Sequence, residues 1–152
     1  MIVYRLSKAA FAADLSGKGA EITGGRWNSK GIAIVYTSES RALCTVEIAV
    51  HMPLGLIPED YKIISIEIPE QVSVEEIFAI DLPEGWNSMP DMSRTRQIGD
   101  RFIHDMKFPV IKVPSAVIQD EHNILINPKH PDSKLITIKS IEPYNFDKRL
   151  FL

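Results

Sequence analysis

After Phe108 the chain breaks into short apolar runs, Pro109–Val113, Ala116–Ile118, Ile124–Ile126 and Leu135–Ile141, separated by proline, glycine-free turns and Asn127-Pro128. Runs this short, rich in β-branched residues and bounded by turn formers, read as strands. Upstream, Met1–Leu6 alternates weakly as a first strand, and Ile32–Thr37 is a short β-branched one. Tyr61–Ile68 alternates cleanly, with Ile63, Ser65 and Glu67 against Ile64, Ile66 and Ile68. Two stretches have helical spacing. Ser38–His51 carries Ser38 or Ser40 as its N-cap, and Asp91–Met106 sets Ile98, Phe102 and Met106 on one stripe. Strands and helices do not alternate regularly, so a doubly wound parallel sheet is excluded. The expected fold is α+β, a single domain over residues 1–152 with a mixed, mostly antiparallel sheet and a few helices.

Composition narrows the setting. A chain of 152 residues suits one domain that buries its core without staples. The lone cysteine, Cys44, rules out an internal disulfide and suits a reducing compartment. The apolar stretch Ala9–Ala13 is interrupted by Asp14, too early for a signal-peptide core, and no run approaches the roughly 18 residues that span a bilayer. The expected location is cytoplasmic, with no membrane contact. A net charge of −3 gives no general attraction to nucleic acid. Arg94, Arg96 and Arg101 are interleaved with Asp91, Asp100 and Asp105, which reads as a solvated helix face.

Three places carry candidate chemistry. Ser7–Gly31 holds five of the eight glycines and few apolar residues, and a loop this long in a compact domain is usually functional or disordered. Within it, Gly24-Gly25-Arg26-Trp27-Asn28 combines a sharp turn, a planar cationic fork and a stacking surface. The plain reading is a tight turn with Trp27 in the core and Arg26 in solvent. Glu47 falls within the apolar stripe of Leu43, Val46 and Val50, so its carboxylate must be paired, protonated or open to a cleft. A structural salt bridge and a catalytic carboxylate both satisfy that demand. Tyr4, Tyr36, Ser115, Asn123, Asn127 and His130 are unremarkable alone, and Cys44 reads as packing. No Gly-x-Ser-x-Gly elbow is present, and His51, His104, His122 and His130 have no metal-site spacing, so neither a serine hydrolase nor a metal site is expected.

In order along the chain these pieces resemble the RES domain, named for its arginine, glutamate and serine. The matching stretches are Tyr4-Arg5, Ser16–Ala20, Gly24–Asn28, Val35–Ser38, the helix carrying Glu47, Pro114–Val117, Glu121–Pro128 and His130-Pro131. The likeness runs from about Val3 to Ile138, and residues 70–108 contribute little to it.

The resemblance implies a fold similar to the ADP-ribosyltransferases and a bacterial toxin that attacks NAD by hydrolysis, phosphorolysis or ADP-ribosyl transfer. It implies NAD as substrate with no separate cofactor, a helix-turn-helix antitoxin encoded alongside, and a toxin homodimer within the complex. It assigns Glu47, Arg26 and Ser115 to catalysis, and Arg5, Arg26, Asn28, Tyr36, Glu47 and Ser115 to NAD binding. Losing nicotinamide leaves positive charge on the ribose, as in glycoside hydrolysis, which a carboxylate at Glu47 would stabilise. Arg5 and Arg26 would meet the pyrophosphate, Tyr36 would stack on nicotinamide, and Ser115 would hydrogen-bond the ribose or the amide. The competing reading is a non-catalytic nucleotide-binding or partner-binding module in which Glu47 is structural. The acidic balance argues against a ribonuclease.

Overall fold

The computed structural model describes residues 1–152. Seven strands form one sheet: β1 (Ile2–Lys8), β2 (Val35–Ser38), β3 (Tyr61–Glu67), β4 (Val74–Glu76), β5 (Val110–Pro114), β6 (His122–Ile126) and β7 (Thr137–Tyr144). Their order is β4-β5-β6-β2-β1-β3-β7, with β4 parallel to β5 and every other pair antiparallel. Three helices accompany them: α1 (Lys18–Thr23), α2 (Arg41–Ala49) and α3 (Ser93–Asp105). The mixed, mostly antiparallel α+β architecture is therefore as expected. No helix is long and apolar enough to cross a membrane.

Period-two alternation divides the core between the two faces of the sheet. Val3, Val35, Ile64, Ile66, Val110, Ile124 and Ile126 are buried together on one face. On the other, Ile111, Val113 and Leu125 meet Trp27 of the glycine turn and Phe102 and Ile103 of α3. Further along that face, Leu6 and Ile63 pack with Cys44 of α2 and with Phe146 and Phe151 near the C-terminus. Phe146 makes edge-to-face contacts with Tyr61, Tyr144 and Phe151, an arrangement that adds to simple burial.

Several local expectations change. Ala116–Ile118 is a turn, because the Ser115 hydroxyl accepts hydrogen bonds from the amides of Val117 (3.0 Å) and Ile118 (3.1 Å) and curls the backbone away from strand geometry. The glycine-rich segment is ordered. It continues β1, makes one helical turn at Ala9–Phe11 and forms α1, which Gly24 ends at φ 70° with its N–H on the Ala20 carbonyl. Ser40 is the N-cap of α2, accepting from the Leu43 amide at 3.0 Å, whereas Ser38 lies in β2. The buried face of α2 carries Leu43 and Cys44, and Val50 is exposed, so the apolar stripe sits one position round from the expected one. In α3, Phe102 is buried but Met106 is exposed in a left-handed C-cap at φ 54°.

The sheet opens between β1 and β2. They are adjacent yet pair in register only at Tyr4↔Ser38. β1 otherwise runs along β3 from Ile2↔Glu67 to Lys8↔Tyr61, while β2 runs along β6 from Val35↔Ile126 to Ser38↔Asn123. The sheet is thus split between its two central strands, and side chains of both strands line the gap.

Candidate active site

A cavity of about 810 Å³ fills this split. That volume lies within the roughly 300–1,000 Å³ of typical small-molecule pockets. Arg5 and Ser7 of β1, Tyr36 and Thr37 of β2, Gly25 and Arg26 of the glycine turn, and Glu47 and His51 of α2 and its end are among the residues that line it.

Glu47 is half-buried, and it stands in no ion pair. Oε1 accepts from the Ser115 hydroxyl at 2.8 Å and from Asn123 Nδ2 at 2.7 Å. Oε2 has no partner within the protein and no buried polar atom is left unsatisfied, so the second oxygen faces open space in the cavity. Of the two sequence readings of Glu47, the structural salt bridge fails. The carboxylate is held by neutral donors on one oxygen and presented by the other. His51, one turn on, donates from Nδ1 to the Glu47 carbonyl at 2.7 Å and also lines the cavity.

Two arginines face this space without a carboxylate in salt-bridge range. Arg5 is half-buried, with a long hydrogen bond of 3.4 Å to the Phe11 carbonyl. Burial lowers its pKa, and the nearby Asp14 partly offsets that. A desolvated guanidinium with no carboxylate in direct contact favours an anionic ligand. Arg26 is partly used already. Nη1 donates to the carbonyls of Trp86 (2.9 Å) and Ser88 (3.1 Å), and Nη2 to Met89 Sδ (3.2 Å), which ties the 86–89 loop to the cavity rim. Its Nε keeps no protein partner, so the fork is shared between loop and cavity.

Tyr36 and Asn28 work as a pair. The Tyr36 hydroxyl donates to Asn28 Oδ1 at 2.7 Å and accepts from the Trp27 amide at 3.0 Å. Burial raises the Tyr36 pKa, so this phenol stays protonated. A β-carbon on Gly25 would stand 2.8 Å from the Tyr36 hydroxyl oxygen, which explains a glycine at that place. Tyr36 lines the cavity.

Two of the assigned residues stand behind the lining. Asn28 is fully buried, and its Nδ2 donates to the carbonyls of Ala20 (2.8 Å) and Ile32 (2.9 Å). It shapes the glycine turn from behind the cavity wall and has no group left for a ligand. Ser115 is also buried and does not line the cavity. Its proton goes to Glu47 and its oxygen accepts two backbone amides, so it supports the carboxylate.

Cys44 is buried and its pKa is pushed up to about 12, chiefly by burial, so it serves as packing at the edge of the site. Sequence reasoning passed over Asn123, Ser38 and His51. A helical i, i+4 spacing from Glu47 could have flagged His51. The meeting of Ser38 with Asn123 depends on the β2–β6 register, which no local pattern reveals.

Known proteins share this arrangement of sequence and fold. A family model described as the RES domain matches residues 2–147. A Sphingobium protein, the Prs ADP-ribosylating toxin, is 40% identical over 141 residues, covering 91% of this chain and 88% of its own. Toxin Res of Pseudomonas putida is 36% identical over 155 residues, covering 99% and 100% respectively. A chain in the crystal structure of the M. tuberculosis MbcT–MbcA toxin–antitoxin complex superposes with a TM-score of 0.72 at 19% identity, over 99% of this chain and 86% of that one. The split sheet with its arginines and half-tethered carboxylate is accordingly the cavity of a RES domain, and the chain belongs to the RES family.

Proposed function

We propose that the chain is an enzymatic toxin that cleaves the nicotinamide–ribose bond of NAD in the cytoplasm, held in check by an antitoxin. The observation that carries this reading is Glu47, whose Oε1 is fixed by two neutral donors while Oε2 is left to the cavity. As nicotinamide leaves, the ribose gains positive charge, and a carboxylate oriented beforehand stabilises it without having to reorganise. Arg5 and the unused edge of Arg26 meet the pyrophosphate, and Tyr36 offers its ring to the nicotinamide. NAD is a substrate here and no further cofactor is needed. The partner is a helix-turn-helix antitoxin that covers the same cavity, within a complex built on a toxin dimer. The naming of relatives as toxins, one of them ADP-ribosylating, supports this reading.

Incubating the purified protein with NAD, with and without phosphate, and weighing the products tests both bond and acceptor. Free nicotinamide is expected in each case. ADP-ribose identifies water as the acceptor, ADP-ribose-1″-phosphate identifies phosphate, and ADP-ribose found only on added protein identifies a transferase. NAD that binds but survives would instead mark a binding module.

Arg26→Lys keeps the charge but loses the planar fork. NAD cleavage is expected to fall by about tenfold or more, the loss expected when a charge-assisted contact of about 1.5 kcal/mol or more is removed. Because the 86–89 loop loses its tie as well, a melting curve is needed beside the assay. Parent activity in a folded Arg26→Lys would reduce Arg26 to a loop anchor.

A further inference from the structure

Behind Glu47 lies a second layer that the NAD-cleaving reading does not itself require. Asn123 lines the cavity from β6, and its Nδ2 donates to Glu47 Oε1 at 2.7 Å. Its Oδ1 accepts from the Ser38 hydroxyl at 2.7 Å. Ser38 and Asn123 are directly opposed across the β2–β6 ladder, so the backbone fixes their separation. A terminal amide can turn over and exchange its oxygen for its nitrogen, and a hydroxyl proton committed to Oδ1 decides which end faces Glu47.

We infer that Asn123, oriented by Ser38, is a positioning residue that sets the rotation of the Glu47 carboxylate and so aims Oε2 into the cavity; this rests on the NAD-cleaving reading. Ser115, just past the end of β5, holds the same Oε1 through a hydroxyl already fixed by two backbone amides. One donor alone would leave the carboxylate free to pivot about that single bond. Two donors arriving from different strands' ends define its plane. The long side chain of Glu47 thereby loses its rotational freedom during folding and not during catalysis. An isolated donor at Asn123 would hold this orientation only part of the time, which is why the buried Ser38 stands behind it.

The test is steady-state cleavage of NAD by the full chain, with melting curves for each variant. Asn123→Ala is expected to lower kcat by up to about 10²-fold, as a misoriented catalytic group does, with KM for NAD little changed. Ser38→Ala is expected to cost about tenfold in kcat, and the Ser38→Ala/Asn123→Ala double variant to be no worse than Asn123→Ala, since coupled residues are not additive. A structural role alone would not give that pattern. A folded Asn123→Ala with the parent kcat overturns the inference and leaves the function standing. So does a raised KM at unchanged kcat, or a double variant whose losses multiply. If Asn123→Ala does not fold, Ser38→Ala decides, with the parent kcat counting against and a tenfold loss in favour. A parent protein that releases no nicotinamide overturns the functional reading and this inference together.

Discussion

Glu47→Gln is expected to reduce NAD cleavage by about 10²–10³-fold, the size of loss seen when one preorganised transition-state contact is removed. Its melting temperature should stay close to that of the parent. The two halves of this expectation come from the two oxygens. The glutamine Oε1 can accept from Ser115 and Asn123 as the glutamate Oε1 does, so the anchored half of the group is preserved. The amide nitrogen then occupies the place of Oε2, where the cavity loses its negative charge and gains a donor. No cation is stranded, because Glu47 pairs with none, and the large penalty for breaking a buried salt bridge does not arise. Relief from desolvating a charge could raise stability slightly. Thermal unfolding and nicotinamide release measured on one preparation decide the matter. A glutamine variant that melts several degrees lower yet cleaves NAD at the parent rate would remove Glu47 from the chemistry.

The second large effect lies away from the cavity, at Gly99 in the middle of α3. Helix propensity alone favours alanine over glycine there by about 1 kcal/mol. Packing reverses the sign, because a β-carbon at Gly99 would collide with the Trp27 carbonyl, and the neighbour it meets is backbone. Nothing there can swing aside as a long side chain would. The next residue, Asp100, binds the Ser29 amide at 2.8 Å and so fixes the helix against the same turn. Gly99→Ala must therefore push α3 away from Trp27 or shift the turn that carries Arg26. We expect a loss of about 3 kcal/mol or more, at or above the upper end of overpacking penalties. At roughly 2–4 °C per kcal/mol for a domain of this size, the melting temperature should fall by about 10 °C. Gly19→Ala, in α1 with nothing near its would-be β-carbon, supplies the contrast and should be neutral or stabilising. Equal melting temperatures for Gly99→Ala and the parent would mean that the helix adapts freely at this contact.

How much of this was legible beforehand depended on the range of the interaction. Tyr61–Ile68 announced itself because alternation is local, and so did the amphipathic character of α2 and α3. Ala116–Ile118 misled because three apolar residues satisfy a strand pattern, while the Ser115 hydroxyl that turns them acts through hydrogen bonds composition does not record. β4 was missed since Val74–Glu76 is only three residues and pairs with β5, some 36 positions later. In the site, Glu47 and Arg26 stood out because a carboxylate on an apolar helix face and glycines beside an arginine are unusual locally, whereas Arg5 was singled out only by the resemblance to the RES domain. The hydrogen bonds of Asn28 and Ser115 could not be read that way. Both are polar residues whose partners lie within the wall, and only burial distinguishes a wall from a lining.

The split between β1 and β2 also sets when the chain can become dangerous. β2 is completed by residue 38, but the strand that borders its other side, β6, begins at His122. Contacts so distant in sequence close late and slowly, because a long loop must be ordered before they form. During synthesis, Glu47 emerges long before Ser115 and Asn123, the two side chains that hold it. A growing chain therefore carries its carboxylate unaimed, and β2 without its outer neighbour, until about four-fifths of the polypeptide has been made. Any partner that recognises the finished cavity has nothing to bind before then, and nothing to restrain.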